Sequence, residues 1–111
     1  DIIVDGDVSK MYFSEIKDIS AIVTTDFMSI QAGNPKRLGY DERHGYFNSG
    51  MMLINISYWR EHDILQRSIN YIKENSEILF LYDQDVLNYF LHNSKKFIGI
   101  EYNFFRCISL K

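Results

Sequence analysis

Two short stretches of this chain concentrate the side chains able to do chemistry. Asn48-Ser49-Gly50 sets an amide and a hydroxyl, each able to donate and accept hydrogen bonds, beside a glycine that lets backbone approach a ligand closely. Further on, Asp83-Gln84-Asp85 adds two carboxylates and an amide, with Asn88 four residues after Gln84. Gln84 and Asn88 then share one helical face and are expected to face the same cleft. Together the two stretches describe a polar site at strand and helix ends, where ligands bind in α/β folds.

Such a site needs elements to hold it. Gly50 to Asn55 reads as a central strand, with Met51, Met52, Leu53 and Ile54 as core. A β-bulge or turn around Gly50 is compatible with that reading. Ala21 to Thr25 is a second β-branched strand ending at Asp26, and Ile2 to Val4 reads as a short buried strand. Asp5-Gly6-Asp7 reads as a turn, with Asp7 capping a helical turn from Val8 to Phe13. From Phe27 to Gly45 the chain reads as a long loop. Asp63 with Gln66 suggests a capping box, after which Ile64, Leu65, Ile69 and Ile72 mark one helical face. A second helix is expected from Gln84 to His92, capped by Asp83, burying Val86, Leu87, Phe90 and Leu91, with Asp85 a solvated or helix-N-terminal carboxylate rather than a catalytic one. Lys96 to Ile100 closes as a strand. Trp59 reads as packing, while Tyr12, Phe13, Phe104 and Phe105 read as core or surface anchors. Strands alternating with helices predict an α/β sheet.

Composition narrows the function classes. An apolar content of 46% over 111 residues argues against disorder and for one domain with a modest core. A formal net charge of −3 argues against bulk nucleic-acid binding. No apolar run approaches the roughly twenty residues of a membrane span. The single cysteine, Cys107, gives no internal disulfide and suits a reducing cytoplasm.

The order Tyr46-Phe47-Asn48-Ser49-Gly50, Ile54-Asn55 with Trp59-Arg60, Asp83-Gln84-Asp85 with Asn88, then Tyr102-Asn103 resembles the family 8 glycosyltransferases over nearly the whole chain. Trp59-Arg60-Glu61-His62-Asp63-Ile64 leans towards the bacterial lipopolysaccharide galactosyltransferase branch; the glycogenins are more distant. The resemblance implies a glycosyltransferase A-type, Rossmann-like α/β fold. It implies a retaining, metal-dependent transfer of galactose or glucose from UDP-galactose or UDP-glucose to a glycan or lipopolysaccharide-type acceptor. In the register of the family, Asp1 matches the second carboxylate of an Asp-X-Asp motif and is the expected ligand for Mn²⁺ or Mg²⁺. Asp5 and Asp7 keep their turn and cap roles. The family's histidine ligand belongs to a C-terminal motif, and His44, His62 and His92 do not occupy that place.

By the same resemblance Asp26 lies beside the sugar, although a turn or cap role would place a carboxylate there equally. Asn48 and Ser49 are implied to bind sugar hydroxyls. Asp83 would line the sugar pocket, and Gln84 would lie below the anomeric carbon, as a stabiliser of an oxocarbenium-like centre rather than a nucleophile. The start within a strand-like run leads us to expect residues 1–111 to be the sugar- and acceptor-binding part of a larger catalytic domain, inactive alone. A non-catalytic sugar- or nucleotide-binding domain and an inactive structural fragment are the competing readings. Cytoplasmic location, with peripheral association at the inner face of the membrane through other segments, completes the expectation.

Overall fold

The computed structural model describes residues 3–103. They form a mixed α/β fold around a three-stranded sheet of order β2-β1-β3, where β1 is Ala21–Thr25, β2 is Phe47–Ile54 and β3 is Lys96–Phe97. β1 pairs antiparallel with β2 and parallel with β3. Its buried Ala-Ile-Val-Thr run explains its middle place, since a strand covered on both faces reads as a continuous apolar, β-branched stretch. Ala21, Val23 and Phe47 pack with Ile64 and Leu91, joined by Met52, Trp59, Leu87 and Phe90. Trp59 thus packs as expected, and its indole N–H donates to Ser20 O at 3.0 Å. A second cluster joins Leu38, Tyr46, Leu79 and Val86.

Several expectations need correction. Ile3 and Val4 form no strand and are exposed, at 93% and 61%. β propensity alone makes no strand without a partner and a face to bury. Tyr12 and Phe13 are exposed, which leaves the surface rather than the core alternative expected for them, while Phe104 and Phe105 lie outside the described residues. β2 begins at Phe47 and flanks the middle strand rather than forming it. Of its apolar run only Met52 packs on the main cluster, and Ile54 is exposed.

The segment expected as a loop is largely helical. It holds α2 (Phe27–Gln31), α3 (Asn34–Leu38) and a 3₁₀ turn at Glu42–His44, following α1 (Ser9–Tyr12) near the start of the chain. Local chemistry explains this. Asp26 accepts the Ser29 N–H to start α2, Pro35 occupies the first turn of α3, and Gly39 ends α3 at φ +85°.

Beyond β2 come α4 (Ile56–Glu61), α5 (Ile64–Asn75) and α6 (Tyr82–Leu91). Asn55 caps α4 through the Tyr58 N–H. Asp63 makes no side-chain cap, and Gln66 bonds to Asn70 instead, so the expected capping box is absent. The buried stripe of α5 runs through Ile64 and Ser68, with half-buried Tyr71, and leaves Leu65, Ile69 and Ile72 outside. β3 is shorter than expected, and a 3₁₀ turn at Ile100–Asn103 follows it. Among the described residues no helix is long and apolar enough to cross a membrane.

Candidate functional site

Three element ends converge: the C-terminus of β1 at Asp26, the start of β2 at Asn48–Gly50, and the first turn of α6. The β1–β2 register explains how β2 reaches the site. Ile22 faces Leu53 and Thr24 faces Asn48, so four residues of β2, 49–52, lie opposite Val23 alone. This bulge carries Ser49 and Gly50 out of the ladder, as the sequence around Gly50 suggested.

A continuous polar chain results. Asp26 is 6% exposed; its Oδ1 accepts the Ser29 N–H at 3.1 Å and its Oδ2 the Ser29 hydroxyl at 2.8 Å. Gln84 Nε2 also donates to Asp26 Oδ2, at 3.3 Å. The other end of the same amide, Gln84 Oε1, accepts the Ser49 N–H at 3.0 Å. Ser49 Oγ lies 3.4 Å from both Gln84 Oε1 and Asp83 Oδ2. Asn48 Oδ1 accepts from Gly50 N and from Asn103 Nδ2, both at 2.8 Å.

The orientation of the Gln84 amide follows from its neighbours. A carboxylate can only accept and a backbone N–H can only donate, so the NH₂ must face Asp26 and the carbonyl must face Ser49. That carbonyl accepts the Ser49 N–H, and its second lone pair is open to a ligand when the single Ser49 hydroxyl proton goes to Asp83 Oδ2 rather than to Gln84 Oε1. Asp26 is therefore both a helix cap, one of the two roles the sequence allowed it, and a partner of Gln84.

Asp83, Gln84, Asp26 and Ser49 are thus brought together, with Asn48 next to Ser49 along β2. Asp1 lies outside the described residues. Asp7 is not the N-cap of α1, a place taken by Val8, whose C=O accepts the first intrahelical bond; Asp7 lies one residue earlier and accepts the Ser9 N–H at 2.8 Å, a bond that holds its carboxyl below the ordinary value. Among the described residues no three His, Cys, Asp or Glu side chains are grouped to hold a metal.

Three residues of the second motif, Asp85, Asp83 and Asn88, behave differently from expectation. Asp85 stands in the first turn of α6, one of its two expected places, but is fully buried rather than solvated. Its Oδ1 accepts from Arg37 Nη2 at 2.9 Å and from the Tyr46 hydroxyl at 2.6 Å, and its Oδ2 from Phe80 N at 2.8 Å and Leu81 N at 3.0 Å. Burial alone pushes this carboxyl up, but the bonds from Arg37, Tyr46, Leu81 and Phe80 outweigh it and hold the carboxyl below its ordinary value. Burial and the neighbouring carboxylate push the Tyr46 hydroxyl upward, so it stays a donor. It is Asp85, not Asp83, that takes up backbone donors ahead of α6. The helix begins at Tyr82, and Asp83 sits exposed in its first turn without capping it.

Asn88 also leaves the cleft. It is fully buried, with Oδ1 accepting the Phe47 N–H at 2.8 Å and Nδ2 donating to Phe47 O and Gln84 O, both at 2.9 Å. Arg37 was missed by the sequence reading, which named Tyr46 and Asn103 in the resemblance without giving either a role. The signal for Asp85 was its place beside Val86 on the buried side of α6, where a carboxylate demands a cation. An open cavity of about 570 Å³ lies elsewhere, at the C-terminal end of α6, lined among others by Tyr40, His44, Tyr58, His62 and His92. None of the candidate residues lines it.

Comparison with known proteins agrees with the resemblance. The model for glycosyl transferase family 8 matches residues 1–111. A lipopolysaccharide 1,2-glucosyltransferase of Escherichia coli is 33% identical over 99 residues, covering 86% of this chain and 29% of that protein. A lipopolysaccharide 1,3-galactosyltransferase of Salmonella typhimurium is 39% identical over 61 residues, covering 53% of this chain and 18% of that protein. Among solved structures, the galactosyltransferase LgtC in complex with donor and acceptor sugar analogs superposes with a TM-score of 0.79 at 26% identity, over 87% of this chain and 35% of that one. The chain therefore spans about a third or less of the proteins it matches.

Proposed function

Because the chain belongs to glycosyl transferase family 8, we propose that it carries the sugar-binding part of a retaining glycosyltransferase. In this reading the full protein moves galactose or glucose from a UDP-sugar to a glycan or lipopolysaccharide-type acceptor, in the cytoplasm at the inner face of the membrane. One observation supports it most: the Gln84 amide is clamped between Asp26 and the Ser49 N–H, and its carbonyl presents a second lone pair to a developing positive centre when the Ser49 hydroxyl donates to Asp83 instead. Cleavage of a glycosidic bond to a diphosphate develops such charge at the anomeric carbon, and a fixed dipole stabilises it without reorganising. Asp83, exposed beside Ser49, supplies negative charge to the same region. Asn48 and Ser49, neutral donors and acceptors, bind sugar hydroxyls.

A Mn²⁺ or Mg²⁺ ion enters this proposal through Asp1, a hard oxygen ligand. Among the described residues no three His, Cys, Asp or Glu side chains are grouped to complete its ligand set.

The test uses the full-length protein with UDP-galactose and UDP-glucose. Gln84→Ala should lower turnover by about ten- to a thousandfold, as loss of one stabilising dipole does, with anomeric configuration retained. Asp83→Asn should lower turnover while the melting temperature stays nearly unchanged, since Asp83 caps nothing. Wild-type rates in both variants would refute the assignment. Donor binding without any turnover would favour a non-catalytic sugar- or nucleotide-binding domain.

A further inference from the structure

Residues 78–82 lead into the helix that presents Asp83 and Gln84, and one buried ion pair ties this segment down. Arg37 Nη1 donates to Ile78 O, its guanidinium lies 4.4 Å from the centre of the Phe80 ring, and its Nη2 meets Asp85 Oδ1 at 2.9 Å. The other Asp85 oxygen takes the Phe80 and Leu81 N–H groups. Tyr82 follows at once with φ +40°, a left-handed conformation costly for a non-glycine residue, and the next residue is Asp83. A strained backbone persists only where its surroundings over-determine it, and here the surroundings are the Arg37–Asp85 pair with the Tyr46 hydroxyl.

We infer that Arg37 and Asp85 are positioning residues: their ion pair clips segment 78–81 so that Tyr82 turns the chain and Gln84 meets Ser49 and Asp26. The inference rests on the reading of Gln84 given above. Arg37 would reach the reaction only through this clip, from α3, in a stretch whose sequence resembles a loop. The planar guanidinium matters as well as its charge, because it bonds Asp85 and Ile78 O and covers Phe80 at the same time.

In full-length protein labelled with ¹⁵N-glutamine, Arg37→Gln should lower kcat more than tenfold, leave the donor KM within threefold, and displace the Gln84 side-chain amide resonances. Arg37→Lys should recover part of kcat but not the wild-type resonance positions. A purely structural pair would lower the melting temperature yet leave kcat of the folded enzyme and those resonances unmoved; that result would overturn the inference. Should Arg37→Gln not fold, Tyr46→Phe, which removes one hydroxyl from Asp85, is read by the same two measurements. The resonances test the clip even if the wild type transfers no sugar, an outcome that would refute the proposed function instead.

Discussion

Replacing Asn88 by alanine should open the sheet beside the site, by an amount that follows from the hydrogen bonds of one residue. The Asp26 N–H donates to Tyr46 O at 2.8 Å, which makes residues 26 and 46 a bonded antiparallel pair. Thr25 and Phe47, the next pair, is then non-bonded, so the Phe47 N–H and C=O point away from β1. The Asn88 carboxamide meets both, at 2.8 and 2.9 Å, and acts as a one-residue substitute for a further strand. Phe47 and Asn88 are both fully buried, so Asn88→Ala orphans a buried donor and a buried acceptor. Each orphan costs about 1–3 kcal/mol. A water entering the vacated space would recover part of this, leaving a loss of about 2–4 kcal/mol. Native-state hydrogen exchange reads the loss locally: the Phe47 amide should exchange roughly thirty to a thousand times faster. Asn88→Asp should be at least as harmful at neutral pH, because it aims a carboxylate oxygen at two carbonyls. It should recover as acid protonates that carboxyl into a donor. An acceleration below about fivefold in Asn88→Ala, close to 1 kcal/mol, would refute the reasoning.

Two further outcomes follow from the same geometry. A Cβ at Gly50 would meet Asn48 Oδ1 at 2.8 Å, so Gly50→Ala should turn the Asn48 amide away from Gly50 N and Asn103, lowering kcat/KM about tenfold; unchanged steady-state kinetics would contradict it. The Asp85 carboxyl is held below its ordinary value, so its contribution to folding is complete above the unfolded pKa of about 3.9 and is lost as pH falls through the lower folded value. Melting temperatures of wild type and Asp85→Asn, compared from pH 6 downwards, should converge only below about pH 4, and a constant difference would count against the ion pair.

The elements carrying the candidate site were legible where local chemistry and tertiary structure agree. Ala21–Thr25 is a strand by composition and by burial, and Gly50 sits in the bulge its sequence suggested. The helix over residues 82–91 was recognisable from Val86, Leu87, Phe90 and Leu91. What failed was assigning polar residues to faces. Asp83 and Asp85 are chemically identical and two positions apart. Only the approach of Arg37, from 48 residues earlier, decides that Asp85 is buried and Asp83 is not. Asn88 looked like a cleft residue because its partner, the Phe47 backbone, is invisible to side-chain patterning. On α5 the apolar residues Leu65, Ile69 and Ile72 suggested the wrong face, while the structure buries Ile64 and Ser68. The helices within 27–45 were missed although Asp26, Pro35 and Gly39 all signal helix ends, because two five-residue helices carry too little apolar period to register.

The middle position of β1 has a consequence for how the fold is reached. One of its edges is closed by β2, about thirty residues later in the chain, and the other by β3. Closure on the β3 side brings the Ile98 N–H to Val23 O at 2.8 Å, and the Ser94 hydroxyl to that of Ser20 at 2.8 Å across 74 residues. Loop-closure entropy grows as the logarithm of separation, so the longer closure costs only about 0.8 kcal/mol more. Time separates the two closures more than energy does. During synthesis β1 is complete and paired with β2 well before β3 exists, and its second row of amides and carbonyls stands open in that interval. An apolar strand with an open edge invites pairing with another chain. Among the described residues, the two of β3 therefore close the second edge of an apolar strand that until then is open to another chain.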